Sequence, residues 1–263
     1  MTEIEVVPTG TQPAQPGHIV ADFMPDLIKT GTHQLCAGCG EPIAMRTLLE
    51  AVSEVGYGSN AVAIFGIGCY TVFSGGIDVE VVQALHGRAP SVATGIKRVR
   101  PQTLVLTVQG DGDMANEGLQ EVLHTAARGE SVTCVMLNNG VFGETGGHMT
   151  ATTVIGQRTK NTLDGRDAAQ HGYPISVANM IAPLPGVAYV ARCAVNNAVA
   201  IDRARRSFKR ALQLQSEGAG FTFLEILTMC PTGWFVDTNQ GPSYLDETIA
   251  QTHVPGVLKD GPD

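Results

Sequence analysis

The stretch VLTVQGDGDMANEG, Val105 to Gly118, joins an apolar run to a glycine-rich corner that carries two aspartates. The run is short, rich in β-branched residues and bounded by glycine, the pattern of a buried strand. A helix through LQEVLHTAARG and a second apolar run, VTCVMLN at 132–138, follow it. Strand, helix and strand in that order predict a βαβ unit, with both strands parallel and their carboxyl ends on one edge of a sheet. The alternation continues in both directions. NAVAIFGIG reads as a strand running into glycines, and EPIAMRTLLEAVSEVG, from Glu41, sets Ile43, Leu48, Ala51, Val52 and Val55 near helical spacing before Gly56. Further on, VAYVAR is strand-like, AVAIDRARRSFKRALQLQ is an amphipathic helix, and FTFLEILT is a strand. The expected fold class is α/β, a mostly parallel sheet flanked by helices, with ligands at the carboxyl ends of the strands.

Composition excludes several function classes. A chain of 263 residues with 43% hydrophobic content can bury a substantial core. A formal charge of −8 argues against a surface that tracks nucleic acid, which needs clustered Lys and Arg in excess. No apolar segment approaches the roughly 20 residues that span a bilayer, and MTEIEVVPTG has no basic, apolar signal pattern, so no membrane association and a cytoplasmic location are expected. There the six cysteines point to metal ligands, redox thiols or small core residues rather than disulfides. Proline and glycine in EVVPTGTQPAQPGH predict an extended arm over residues 1–24. Residues 25–235 form the expected domain, and 236–263 read as a second irregular tail. Arms of this kind often lie across a neighbouring subunit, with plain disorder the alternative reading.

The GDGD corner, Gly110 to Asp113, falls where a strand gives way to a helix. Its glycines let backbone amides approach a phosphate closely. Asp111 and Asp113 would repel that phosphate unless a hard divalent cation stood between them, and Mg²⁺ joins carboxylates to substrate phosphates through oxygen ligands. Further oxygen donors should then come from the next strand, whose carboxyl end carries Asn138 and Asn139.

Cysteines make a second constellation. Cys36 and Cys39 stand in C-x-x-C, a spacing that turns two sulfurs towards one metal or cluster but equally suits a redox dithiol or two core residues. Cys69 in GIGCY and Cys230 in TMCPTGW both follow strands and could reach the same place, whereas Cys134 and Cys193 sit in apolar sequence and read as core.

GDG followed by NN resembles the diphosphate-binding motif of thiamine diphosphate enzymes. The resemblance implies Asp111 and Asn139 as Mg²⁺ side-chain ligands, the Val141 carbonyl as a third, and Gly68, Cys69, Gly110, Gly112, Asp113 and Thr145 at the cofactor. In order, CAGCGE, GIGC, HGRAPSVATG, GDGD, NNGVFGETGG and CPTG resemble the thiamine diphosphate-binding (beta) subunit of 2-oxoacid:ferredoxin oxidoreductases over roughly residues 30–235. That family would make Cys36, Cys39, Cys69 and Cys230 the ligands of a [4Fe-4S] cluster. It implies oxidative decarboxylation of a 2-oxoacid, with the acyl group passing to coenzyme A and electrons to ferredoxin. GQRTKNTLDGRDAAQHGYPI looks most like the branched-chain (2-ketoisovalerate) members, with 2-oxoglutarate members the other near group. His86 and Arg88 match a family motif and would meet cofactor or substrate. Ala37 stands where many relatives have Pro, and His148 where Gln is frequent, so His148 would face the substrate and loosens its assignment.

The family activates its cofactor with a Glu from a second domain, for which this chain has no room. Glu41 and Glu117 read instead as first-turn helix residues. An alpha-type partner subunit is therefore expected to bring that Glu and most substrate and coenzyme A contacts. The arginines of 203–210 read as a solvated helix face, with an acidic ferredoxin the alternative, and His33 as a capping or surface histidine. Two rival readings stay open: a cluster-free thiamine diphosphate decarboxylase subunit, and a non-catalytic module in which zinc ties the cysteines together.

Overall fold

The computed structural model describes residues 26–30 and 32–261; the expected N-terminal arm lies outside them. Among the described residues nine strands follow in chain order: β1 (Ala61–Phe65), β2 (Glu80–Gln83), β3 (Leu104–Gly110), β4 (Thr133–Asn138), β5 (Val141–Phe142), β6 (His148–Met149), β7 (Val187–Ala194), β8 (Phe221–Leu227) and β9 (Gly256–Asp260). The helices are α1 (Glu41–Glu54), α2 (Ala89–Val99), α3 (Leu119–Ala127), α4 (Ala168–His171), α5 (Val177–Ile181), α6 (Ala198–Ser216), α7 (Pro231–Trp234), α8 (Gly241–Tyr244) and α9 (Ala250–Thr252). Seven strands form one sheet in the order β2-β1-β3-β4-β8-β7-β9, parallel except for β9, while β5 and β6 make a small antiparallel pair.

The strands alternate between two apolar layers, as a period of two requires. Leu104, Leu106 and Val108 of β3, Val135 and Leu137 of β4, and Leu224 and Ile226 of β8 pack with Leu48 of α1 and Phe208 and Leu212 of α6. Their neighbours Val105, Cys134, Met136, Phe221 and Phe223 face the other way, against Ala93 of α2, Val122 and Ala126 of α3, and Val177 and Ile181 of α5. Helices thus cover both faces, and Cys134 and Cys193 are buried within the two layers. No helix among the described residues is long and apolar enough to cross a membrane.

The C-terminal segment departs from the expected irregular tail. Its described part, 236–261, folds back over the same chain: Leu245 and Ile249 are fully buried beside Leu227 and Met229, and Tyr244 stacks on Trp234 with ring centroids 4.7 Å apart. Strand β9 then pairs with β7 and closes the sheet edge. The pattern is hard to read because β9 is a mostly exposed edge strand and the buried residues lie on helical turns only a few residues long. Edge strand β2 escapes detection for the same reason, with its side chains largely in solvent. Replacing Leu245 by Ala should cost about 2–5 kcal/mol in denaturant unfolding; an arm outside the core would show almost no change.

Candidate functional site

Four neighbouring strands, β1, β3, β4 and β8, deliver their carboxyl ends side by side. After β1 the chain enters Gly66–Gly68 and a 3₁₀ segment starting at Cys69. After β3 comes Asp111 and a single π-helical turn, Gly112–Glu117, which precedes α3. Asn138 to Val141 follow β4, and Cys230 follows β8. The segments after β1, β3 and β4 line a cavity of about 300 Å³ that includes Cys69, Asp111, Asp113, Asn139, Val141 and Thr145. A larger cleft of about 560 Å³ lies between α6 and the β9 edge, but it contains none of these groups.

The two aspartates of the corner do different work. Asp113 ties loops together: one carboxylate oxygen accepts from the Gly87 amide at 3.0 Å and the Ile67 amide at 3.3 Å, and lies 2.7 Å from His86 Nδ1; the other accepts from Gln109 Nε2 at 2.7 Å. A Cβ on Gly66 would sit 1.9 Å from that second oxygen, so this approach requires glycine. Asp111 is 1% exposed, and its Oδ2 accepts from the hydroxyls of Thr150 at 2.6 Å and Thr152 at 2.5 Å. Its Oδ1 has one long contact, from the Asn139 amide at 3.4 Å. Burial holds the Asp111 carboxyl above its ordinary range, partly offset by these donors. No basic side chain among the described residues pairs with it. A buried carboxylate in that position suits a cation, and the donors around it, carboxylate, amide and carbonyl oxygens, suit a hard one.

The two asparagines also diverge. Asn138 faces inwards, donating to Glu225 Oε1 at 2.7 Å and accepting from the Gly140 amide at 3.0 Å, while Asn139 lines the cavity and accepts from the Val141 amide at 3.0 Å. Glu225, fully buried on β8, is neutralised by Arg192 Nε at 2.8 Å. Buried His253 Nε2 donates to the Thr152 carbonyl at 2.8 Å and so reaches the same threonine. Trp234, the chain's single tryptophan, donates to the Asn139 carbonyl at 2.7 Å.

Cys69 and Cys230 meet over Gly143, where a Cβ would lie 3.5 Å from one sulfur and 3.6 Å from the other. The Cys36–Cys39 turn is held by the Gly40 amide, which donates to the Met229 carbonyl at 2.9 Å; a Cβ on Gly40 would stand 2.5 Å from the Met229 nitrogen. Burial raises the thiols of Cys69 and Cys230 to about 12, helped by the charge of Glu41 and by the neighbouring thiols, and raises Cys39 further. None of the four thiols is in a disulfide. Among the described residues no three His, Cys, Asp or Glu side chains converge tightly enough for a single metal ion.

Glu41 opens α1 as expected but is also 3% exposed at the junction of thiols and cavity, and burial with the Asp111 and Glu144 charges lifts its carboxyl to about 8. His86 and Thr145 line the cavity. Arg88 does not: contrary to expectation, its guanidinium pairs with Glu121 of α3, on the helix side of the loop. His148 also lies outside the lining, its Nδ1 3.5 Å from the Thr145 hydroxyl. Sequence reading missed Thr150 and Thr152, whose only signal is a threonine-rich run, HMTATTV, in a loop. It also missed Tyr70, a buried residue that lines the cavity.

A parallel sheet with a GDG corner, an adjacent Asn pair and a buried cation-seeking Asp defines the diphosphate-binding module of thiamine diphosphate enzymes. The family model for the thiamine pyrophosphate enzyme C-terminal TPP binding domain matches residues 66–226. Similar chains include the ketoisovalerate oxidoreductase subunit VorA of Methanothermobacter thermautotrophicus, 39% identical over 84% of this chain and 46% of the relative. The 2-oxoglutarate synthase subunit KorB of Methanocaldococcus jannaschii is 32% identical over 76% of this chain and 70% of its own length. In fold, the chain is similar to a 2-oxoglutarate:ferredoxin oxidoreductase from Magnetococcus marinus, with a TM-score of 0.75 at 23% identity, covering 94% of this chain and 88% of that one. The protein belongs to the thiamine pyrophosphate enzymes, in the 2-oxoacid oxidoreductase subunit family. It spans about half the length of the VorA relatives.

The buried ion pair beneath the site is open to test. Glu225→Gln leaves the Arg192 guanidinium buried without its carboxylate and should cost about 3–5 kcal/mol of unfolding free energy; a loss below about 1 kcal/mol would mean the pair is solvated.

Proposed function

We propose that this chain is the thiamine diphosphate-binding part of a 2-oxoacid:ferredoxin oxidoreductase. It acts on a branched-chain 2-oxoacid or 2-oxoglutarate, passing the acyl group to coenzyme A and electrons through a [4Fe-4S] cluster to ferredoxin. The observation that carries the reading is the meeting of two donor sets in one place. Oxygen donors for a hard cation line a cavity that Cys69 also lines, and Cys230 adjoins Cys69 over Gly143. Asp111, Asn139 and the Val141 carbonyl would hold Mg²⁺, and Cys36, Cys39, Cys69 and Cys230 the cluster. When bound, thiamine diphosphate supplies an electron sink for decarboxylation and the cluster accepts electrons singly.

The chain's own residues do the positioning. The glycine-lined ends of β1 and β3 allow backbone to approach a diphosphate closely. Asp113 fixes the ring of His86 through Nδ1 and leaves Nε2 as the atom that can hold or release a proton at the cavity. Glu41 is electrostatically coupled to Asp111 and the thiols, on the diphosphate and cluster side. Glu41 opens α1 and is buried, and an alpha-type partner would supply the Glu that activates the cofactor.

Two measurements test this. Protein purified without oxygen should show a broad band near roughly 400 nm that bleaches with dithionite; a colourless, iron-free protein after reconstitution would favour a cluster-free decarboxylase. Titration with thiamine diphosphate and Mg²⁺ should perturb Trp234 fluorescence, and Asp111→Asn should weaken that binding by about 100-fold or more. Equal affinity in wild type and variant would remove Asp111 from the metal site.

A further inference from the structure

Arg166 is 5% exposed and lies outside the cavity, yet its guanidinium reaches six backbone carbonyls. One terminal nitrogen donates to Thr150 at 3.3 Å, Ala151 at 3.1 Å and Thr153 at 2.6 Å. The other donates to His171 at 3.2 Å and Tyr173 at 2.9 Å, and Nε donates to Gly172 at 3.0 Å. Arginine has five N–H hydrogens, so six contacts use every donor and share one. All these partners are neutral oxygens.

What the guanidinium grips is the strap 150–153, and the hydroxyls of that strap point to the candidate metal site. Thr150 and Thr152 donate to Asp111 Oδ2, and Thr153 donates to the Gly140 carbonyl at 2.6 Å, just after the asparagine pair. The main chain of Arg166 adds to the hold, its amide donating to the Gln157 carbonyl and its own carbonyl accepting from Gly156, both at 2.9 Å. Gln157 in turn lies against Gly140 through Nε2 at 3.3 Å. Other donors share the strap, the Ile175 amide at the Ala151 carbonyl and His253 Nε2 at the Thr152 carbonyl, both at 2.8 Å, but Arg166 alone reaches three of its four carbonyls.

We infer that Arg166 is a positioning residue for the thiamine diphosphate site: by clamping the Thr150, Ala151 and Thr153 carbonyls it aims the Thr150 and Thr152 hydroxyls at Asp111 Oδ2 and leaves Oδ1 for the cation. The inference rests on the proposed cofactor reading of Asp111. A lysine would keep the charge but offers a single point with three donors, which cannot span both sides of the strap as a planar fork does.

The experiment measures Mg²⁺-dependent thiamine diphosphate affinity of the full chain by calorimetry and Trp234 fluorescence. Arg166→Gln should weaken it by about 10- to 100-fold, in the range lost when a ligand's supporting partner is removed, and Arg166→Lys should fall between. Leu212→Ala, a core substitution in α6 remote from the cavity, serves as a comparison of reduced stability and should bind as wild type. In a Thr150→Val/Thr152→Val background the Arg166→Lys effect should shrink below about twofold, because the groups that transmit it are gone. Wild-type affinity in both Arg166 variants overturns the inference, as does an Arg166→Lys loss undiminished in the valine background. If Arg166→Gln does not fold, Arg166→Lys and its cycle decide the matter. Absence of binding by wild type would instead overturn the cofactor reading, and the inference with it.

Discussion

Asp111 is a carboxylate buried at the end of a central strand with no cationic side chain among the described residues to neutralise it. Such a group costs several kcal/mol unless its lone pairs are met. The surrounding structure meets them piecemeal: two threonine hydroxyls from a loop about 40 residues downstream saturate one oxygen, and a backbone amide from the adjacent strand end approaches the other. That demand explains otherwise unrelated features. Strap 150–153 must come close, β4 must end in register beside β3, and Asn138 must turn inwards so that Asn139 can face the cavity. Glu225, Arg192 and His253 then complete the buried polar set, each with a named partner.

Sheet order does the long-range work. β1 and β8 lie three strand spacings apart, roughly 15 Å at about 4.8 Å each. Yet Cys69 and Cys230, which follow those two strands, come together over Gly143. The loops achieve this by folding towards the centre as they leave the sheet, one through a 3₁₀ segment and the other through α7. Gly143, on the loop after the central strand β4, leaves the space that a side chain would fill. A parallel sheet is suited to this because every crossover returns the chain to the same edge.

The parts legible in sequence were those whose chemistry is local. GDGD and NN each sit within a few residues, at strand ends marked by clean apolar runs, and the central strands and long helices carry clear periods. The threonines that hold Asp111 were not legible, because threonine-rich loops are common and the contact spans 39 and 41 residues. Arg88 misled for the opposite reason: its motif is local, but the loop geometry at Gly87 turns it to α3, while neighbouring His86 meets Asp113. Glu41 was legible as a helix start and not as a buried acid, since only tertiary folding places it among thiols. The C-terminal segment hid its core residues on one-turn helices, which lack the length that makes a period visible.

The cavity's charge gives the two aspartates of the corner their meaning. Its lining includes Glu41, Asp111, Asp113 and Glu144, against His86 as the one basic side chain. A diphosphate arriving alone would meet mostly carboxyl groups, and backbone amides at the glycine turns would not offset them. Asp113 escapes the conflict because its oxygens are engaged by amides, an amide side chain and an imidazole. Asp111 has no such escape on its Oδ1 side. On the proposed cofactor reading, an acidic pocket of this kind would take the anionic diphosphate together with a cation, and the two would bind interdependently rather than additively.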